Sequence, residues 1–272
     1  MLTLISATTL KATLADLRQK VALVDCRFNL ADPAEGEQLF EASHLEDARY
    51  LHLDRDLSGP IRPGLTGRHP LPDQTAFLQT LDRHGITECD LIVAYDTSGG
   101  AFAARLWWLA QWAGLGHCAV LDGGMQAWSD DKSRVRTMTE RPASPVDTVT
   151  ADDIAGNTDS VLVDARDEVR FRGEVEPIDP VAGHIPGAVC VPFMQNLDAD
   201  GYFLPTGQLR ERFESVYAKA STVPVMYCGS GVTAAHNCLA AVHAGYAMPK
   251  LYAGSWSEWI TDSARPVALG AG

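Results

Sequence analysis

Short apolar runs alternate with helical patterns along the second half of the chain. Strand-like apolar runs lie at 160–164, 187–192, 223–227 and 249–252. Helical patterns lie between them, at 206–220 and 233–244. Short strands alternating with helices predict an α/β fold, in which a parallel sheet is covered by helices on both faces. Ligands in such folds bind at the carboxyl ends of the strands, so residues that follow the strands are the first candidates for chemistry.

The pattern occurs twice, in the same order. Four segments have counterparts in the second half: 24–27 and 163–166, 44–48 and 184–188, 93–100 and 225–232, 121–124 and 251–254. This repetition predicts two copies of one domain, which also suits the length of 272 residues. We expect a noncatalytic domain at 1–135, a linker containing Pro142 and Pro145 at 136–148, and a catalytic domain at 149–272.

Cys228 follows the strand predicted at 223–227, and two glycines lead from it into the next helix. This places the sulfur at a helix N-terminus, where free N–H groups and the helix dipole favour an anion. Such a setting lowers the pKa of a thiol and favours a reactive thiolate. A free cysteine is often a buried structural residue, but the glycine-rich turn from strand to helix favours a nucleophile here.

Asp96 stands in the first copy where the second has Cys228. An aspartate can accept hydrogen bonds from a cradle of N–H groups, but it cannot accept sulfur. We therefore expect the first copy to be noncatalytic.

Composition excludes several function classes. The net charge of −13 argues against nucleic acid or an anionic membrane as the main partner. Six widely spaced cysteines, none in a Cys-x-x-Cys pair, indicate reduced thiols rather than a zinc site or a disulfide framework. With no signal-peptide pattern and no apolar run of membrane-spanning length, we expect a cytoplasmic protein.

A local cluster of arginines, Arg166, Arg170 and Arg172, follows the first strand of the second copy. Arginine forks suit carboxylates and oxyanions, so a small anionic substrate is compatible with the acidic chain. Acidic neighbours in the same stretch could instead pair with these arginines, and we expect that structural role for Arg166. One of the other two is then the candidate for binding an anionic substrate.

Three motifs make the chain resemble tandem-domain rhodaneses, the family that includes thiosulfate and 3-mercaptopyruvate sulfurtransferases. They are His-Ile-Pro-Gly-Ala at 184–188, Cys-Gly-Ser-Gly-Val-Thr at 228–233 and Gly-Ser-Trp-Ser-Glu-Trp at 254–259. The resemblance covers nearly the whole chain and implies two rhodanese domains, the second one catalytic. It also implies a persulfide on Cys228, no metal or organic cofactor, and a thiophilic acceptor such as cyanide, a thiol or a thioredoxin-like reductant.

The resemblance also suggests roles for individual residues. The loop after Cys228 is neutral, as in the mercaptopyruvate enzymes, whereas the thiosulfate enzymes tend to carry basic residues there. In the mercaptopyruvate group a serine at the position of Ser230 is proposed to work with a histidine and an aspartate, which match His69 and Asp54. Such a relay could move a proton at the departing enolate. His69 could instead cap backbone groups in its loop.

The family's substrate arginine falls on Arg170, with Arg172 as a weaker candidate. The persulfide is expected to be stabilised by backbone N–H groups of the loop: Gly229, Gly231, Val232 and Thr233. The mercaptopyruvate enzymes carry a second arginine in a Glu-Pro-Arg context, where this chain reads Glu-Pro-Ile-Asp at 176–179. This departure leaves thiosulfate open as the sulfur donor.

The resulting hypothesis is a sulfurtransferase that uses 3-mercaptopyruvate, with thiosulfate as the alternative donor. A cysteine phosphatase would need an arginine within the Cys loop, and residues 232–235 supply none. A rhodanese-like binding module without activity would be marked by the loss of the loop cysteine, which is intact in the second copy.

Overall fold

The computed structural model describes residues 1–16, 18–87, 90–129, 138–156 and 161–271. They form two compact units. The first comprises Met1–Gly59, Pro72–Ala143 and Asp198–Phe203, and the second comprises Pro60–Leu71, Ser144–Leu197 and Leu204–Gly272. Segment 60–71 clusters with the unit that holds most of the second half of the chain, and segment 198–203 clusters with the unit that holds most of the first half. The bounds expected from the sequence stay a prediction. Cys89, Ser160 and residues 136–137 of the expected linker lie outside the described residues.

The first unit contains five parallel strands in the order β1-β5-β4-β2-β3. The strands are β1 (Leu4–Ile5), β2 (Val21–Asp25), β3 (Arg49–Tyr50), β4 (Leu91–Tyr95) and β5 (Cys118–Leu121). The helices are α1 (Ala7–Ala15), α2 (Glu35–Ala42), α3 (Gln74–Arg83), α4 (Ala103–Trp112) and α5 (Gly124–Ser129). Right-handed crossovers in this order place α1 and α2 on one face of the sheet and α3 and α4 on the other.

The second unit contains four parallel strands in the order β7-β6-β8-β9. The strands are β6 (Leu162–Asp164), β7 (Val189–Cys190), β8 (Val225–Tyr227) and β9 (Lys250–Leu251). The helices are α6 (Ala151–Gly156), α7 (Glu168–Phe171), α8 (Thr206–Lys219), α9 (Val232–His243) and α10 (Ser255–Trp259), with a 3₁₀ turn at Phe193–Asn196. Among the described helices, none is both long and apolar enough to span a membrane.

The two sheets repeat one topology, which confirms the α/β fold and the repeat predicted from the sequence. The order β3-β2-β4-β5 in the first unit corresponds to β7-β6-β8-β9 in the second. The pairing of β1 with β5 has its counterpart in a single parallel bridge between Thr148 and Leu251. The predicted helices at 206–220 and 233–244 match α8 and α9 within one residue at each end.

The strands are shorter than the apolar runs that predicted them. The run at 223–227 yields a strand only at Val225–Tyr227, because Pro224 has no N–H to donate to a ladder. All three strand residues are buried, and α9 is buried along eleven of its twelve residues, so both are central to the unit. A helix that is apolar on all sides is typical of such a position.

The connections of the second sheet create a switch point between β6 and β8. From β6 the chain moves outward to β7 through α7, whereas from β8 it moves in the opposite direction to β9 through α9. Open α/β sheets bind ligands at the carboxyl ends of the strands at such a point. Arg166 follows β6 there and Cys228 follows β8.

Candidate active site

Cys228 lies between β8 and α9, with only 2% of its surface exposed. Its Sγ accepts the N–H of Gly231 at 3.1 Å. Gly231 precedes α9 with a φ of 77°, and a Cβ there would overlap the carbonyl oxygen of Ala253. Only glycine fits this conformation and this close approach. Val232 and Thr233 begin α9, so the N–H groups of this turn have no acceptor within the helix.

The corresponding loop of the first unit holds an anion. The Asp96 carboxylate accepts four backbone N–H groups at 2.8 to 2.9 Å, from Ser98, Gly100, Phe102 and Ala103. Complete burial raises the pKa of this carboxyl, and the four hydrogen bonds oppose that effect. The structural role predicted for Asp96 is confirmed. At the corresponding position of the second unit, Cys228 Sγ accepts the N–H of Gly231, and α9 begins four residues after the cysteine, whereas α4 begins seven residues after Asp96.

The first turn of α10 holds the Cys228 loop through hydrogen bonds. Ser255 Oγ accepts the N–H of Cys228 at 3.1 Å, although Ser255 has a φ of 56° in the left-handed region. The N–H of Trp256 donates to the carbonyl of Cys228 at 3.0 Å, and the N–H of Ser257 donates to that of Gly229 at 2.9 Å. Three hydrogen bonds therefore fix the backbone at Cys228 and Gly229.

Ser230 and His69 lie close together, as the family resemblance implied. His69 Nδ1 lies 2.7 Å from Ser230 Oγ, and both residues are 5% exposed. His69 reaches this position on segment 60–71, which belongs by its contacts to the second unit and not to the first. Asp54 belongs to the first unit, where its N–H donates to Nδ1 of His52 at 3.1 Å. Its place in the relay stays a prediction.

A close backbone approach holds segment 60–71 against α10. A Cβ on Gly67 would overlap the carbonyl oxygen of Gly254 and lie 2.6 Å from Ser257 Oγ. The N–H of Arg68 also donates to Ser257 Oγ at 3.1 Å. Gly67 is therefore required for the chain to pass this point, and Ser257 connects the His69 segment to the Cys228 loop.

Two guanidinium groups face Gly229, the residue next to Cys228. A Cβ built on Gly229 would lie 2.9 Å from Nη2 of Arg68 and 3.7 Å from Nη2 of Arg170. Nε of Arg68 is buried and has no hydrogen-bond partner among the described residues. Sequence reasoning singled out Arg170 but missed Arg68. The only available signal was its position beside His69, which by itself does not distinguish a substrate residue.

Asp179 contacts both of these arginines. It forms an ion pair with Nη1 of Arg68, and Nη2 of Arg170 donates to its Oδ2 at 3.2 Å. Burial raises the pKa of the Asp179 carboxyl above its ordinary value, against the opposing charge of Arg68. Glu176 Oε1 accepts the N–H of Asp179 at 3.0 Å and also binds Nη2 of Arg170 at 2.7 Å. The segment without a second arginine thus presents a carboxylate to the site.

The other arginines of the cluster are engaged elsewhere. Arg166 is 3% exposed, and its Nη2 donates to Asp164 and to the carbonyl of Gly183, both at 2.7 Å. The structural role predicted for Arg166 is confirmed. Arg172 pairs with Glu168 at 2.9 Å and Glu174 at 2.8 Å, with 30% of its side chain exposed. The structure therefore favours Arg170 over Arg172 as the anion-binding residue.

The remaining described cysteines lie in settings that suppress thiolate formation. Burial raises the pKa of Cys26, Cys118 and Cys238, and raises that of Cys190 to about 12. Thiols with such pKa values are protonated at neutral pH and react slowly. Among the described residues, no three His, Cys, Asp or Glu side chains are grouped to hold a metal ion.

Comparisons with known proteins place these features in a family. The model of the rhodanese-like domain matches twice, at residues 6–131 and 148–262. A probable 3-mercaptopyruvate sulfurtransferase from Pseudomonas aeruginosa is 45% identical over 280 residues, covering 98% of both chains. A Mycobacterium tuberculosis protein provisionally named a thiosulfate sulfurtransferase is 37% identical, covering 92% of this chain and 91% of that one.

Solved structures show the same similarity. The 3-mercaptopyruvate sulfurtransferase from Leishmania major has a TM-score of 0.79 and 29% sequence identity. The match covers 94% of this chain and 74% of that chain.

Proposed function

The chain belongs to the rhodanese family of sulfurtransferases, and on that premise we propose that it takes sulfur from 3-mercaptopyruvate through a persulfide on Cys228. The observation that carries the proposal is a buried cysteine, Cys228, whose sulfur accepts the N–H of Gly231 just before α9, while two guanidinium groups face the neighbouring Gly229. The acceptor is a thiol or cyanide. A thioredoxin-like reductant as acceptor and a cytoplasmic setting are proposals that rest on the sequence alone.

The first half-reaction begins with the Cys228 thiolate attacking the thiol sulfur of mercaptopyruvate. A sulfur–sulfur bond forms, and the bond between that sulfur and carbon 3 breaks with its electron pair moving into the enolate of pyruvate. The enolate then takes a proton at carbon 3, and the thiol proton of the donor leaves the new persulfide. Ser230, which lies 2.7 Å from His69 Nδ1, is proposed to relay the proton that carbon 3 takes, with Asp54 as the third member.

The second half-reaction restores the enzyme. An acceptor thiolate attacks the outer sulfur, so that one sulfur–sulfur bond breaks as another forms and Cys228 leaves as a thiolate. The N–H groups from Gly229 to Thr233 are proposed to stabilise the persulfide anion between the two steps. The four N–H groups around the Asp96 carboxylate support this role, because they occur in the corresponding loop of the first unit.

Arg68 and Arg170 are proposed to hold the donor's carboxylate. A guanidinium fork suits a planar carboxylate, and two such groups face the residue beside the nucleophile. The absence of the Glu-Pro-Arg arginine was the sequence-based reason to consider thiosulfate as the donor. Arg68, on a different segment, is proposed to supply the second guanidinium group instead. The name of the Mycobacterium tuberculosis relative is the observation that keeps thiosulfate as the second candidate donor.

The test compares kcat/KM for 3-mercaptopyruvate and for thiosulfate, with cyanide as acceptor. The proteins are the wild type, Cys228→Ser, and Cys238→Ser as a matched control at a buried cysteine within α9. We expect a preference for mercaptopyruvate in the wild type and in Cys238→Ser, and no turnover in Cys228→Ser. A preference for thiosulfate would replace the proposed donor, and activity that survives in Cys228→Ser would contradict the persulfide route.

A further inference from the structure

We infer that Asp179 sets the charge selectivity of the site, so that a singly charged sulfur donor is accepted and a doubly charged one is rejected. The inference rests on the proposed function and deepens it. Asp179 is the carboxylate that contacts both Arg68 and Arg170, and it directly follows Ile178, which stands where a second arginine would. In this account Asp179 acts through the two arginines and does not itself touch the reacting atoms.

The balance of charge around Gly229 supports this role. Two cations, Arg68 and Arg170, face two anions, Glu176 and Asp179, so the four groups carry no net charge. Mercaptopyruvate brings one carboxylate to this neutral cluster, whereas thiosulfate brings two negative charges. Both donors benefit from the nearby guanidinium groups, but a cluster without net charge gives thiosulfate no net attraction to offset the larger desolvation cost of its second negative charge.

The position of Asp179 is fixed, so a donor cannot displace it easily. Its side chain is 2% exposed, and its backbone N–H donates to Glu176 Oε1 at 3.0 Å. The N–H of Ile178 donates to the same oxygen at 3.1 Å. Glu176 is in turn bound to Nη1 of Arg166 at 3.3 Å. The carboxylate is therefore a permanent part of the anion site and not a side chain that withdraws when substrate enters.

Three substitutions separate the charge of Asp179 from its shape. Asp179→Asn removes the charge at nearly constant volume, and Asp179→Glu keeps the charge. Glu174→Gln makes the same change of net charge in the same loop, but Glu174 pairs with Arg172 at the surface. The readout is the ratio of kcat/KM for thiosulfate to kcat/KM for mercaptopyruvate, which a purely structural role would not move.

Asp179→Asn should shift this ratio toward thiosulfate by about ten- to a hundredfold, because a dianion gains more than a monoanion from one uncompensated cation. Asp179→Glu and Glu174→Gln should keep the wild-type ratio. An equal change of both donors in Asp179→Asn, or an equal shift of the ratio in Glu174→Gln, would overturn the inference.

A second measurement needs no variant, so it decides the question even where Asp179→Asn does not fold. Pyruvate and sulfate, a monoanion and a dianion, are compared as competitive inhibitors of the wild type. Tighter inhibition by pyruvate supports the inference and tighter inhibition by sulfate overturns it. Absence of wild-type turnover with either donor would instead remove the proposed function, so the two failures are distinguishable.

Discussion

Replacing Ser255 with alanine would remove the hydroxyl group that holds the backbone of the nucleophile. Ser255 Oγ accepts the N–H of Cys228 at 3.1 Å and donates to the carbonyl of Tyr252 at 2.9 Å, in a fully buried position. Alanine leaves the N–H of Cys228 without this acceptor inside the protein. An unsatisfied buried donor costs about 1–3 kcal/mol, so we expect a loss of that size in the free energy of unfolding.

Glycine at the same position separates the hydrogen bond from the backbone strain. A residue with a Cβ pays about 1–2 kcal/mol in the left-handed region, and Ser255 has a φ of 56°. In the first unit Gly124, with a φ of 58°, occupies the place of Ser255, one residue further along than the sequence match of 121–124 with 251–254. The N–H of Met125 donates to the carbonyl of Asp96, as the N–H of Trp256 donates to that of Cys228. Ser255→Gly removes the hydroxyl group but also relieves the backbone strain at this positive φ. It should therefore be about 1 kcal/mol more stable than Ser255→Ala.

Urea unfolding of the wild type, Ser255→Ala and Ser255→Gly measures the order of stability. Amide hydrogen exchange of the peptide containing Cys228 measures the loss of protection at the loop itself. We expect the order wild type, glycine, alanine in stability, with faster exchange of the Cys228 peptide in both variants. A glycine variant less stable than the alanine variant would refute the strain argument, and unchanged exchange would refute the role of the hydroxyl.

Three further predictions concern the anion site, the relay and a buried acid. Arg170→Ala should lower kcat/KM for mercaptopyruvate by about ten- to a hundredfold, the cost of one charged hydrogen-bonding group, whereas the surface control Arg172→Ala should change it less than about twofold. Ser230→Ala and His69→Gln should each lower kcat, and the double variant should lose little more than either single one, because the effects of residues that act as a unit are not additive. Steady-state kinetics measures these losses, and additive losses of kcat would contradict a relay. Burial raises the pKa of Glu258, so its contribution to stability is present when it is protonated and is lost as pH rises through that pKa. Thermal unfolding of Glu258→Gln should therefore show a gain over the wild type near about pH 7 and none near about pH 4, and an equal gain at both would be the contrary result.

Short-range sequence patterns are enough to predict much of the fold. The short apolar runs, the glycines after Cys228 and the repeated segments are each visible within about ten residues of sequence. They predict α8, α9 and the parallel sheets, because periodicity and turn chemistry act over that range. Asp96 was predictable in the same way, since its role depends on N–H groups in its own loop.

The anion site depends on contacts that are distant in sequence, so it could not be predicted in full. Arg68 reaches Asp179 across 111 residues, and His69 reaches Ser230 across 161. No periodicity or spacing reports such contacts; the match of His69 came from the family resemblance alone. The sequence showed only that Ile178 replaces an arginine; the effect of the neighbouring Asp179 depends on which charges surround it in the fold.

The most direct test of the account is the mass of the protein after it reacts with 3-mercaptopyruvate in the absence of an acceptor. The wild type should gain one sulfur atom, and peptide mapping should place it on Cys228, with release of the sulfur when cyanide is added. Cys228→Ser should gain none. A wild type whose mass is unchanged, or that carries its added sulfur on another cysteine, would contradict the persulfide mechanism on which the account rests.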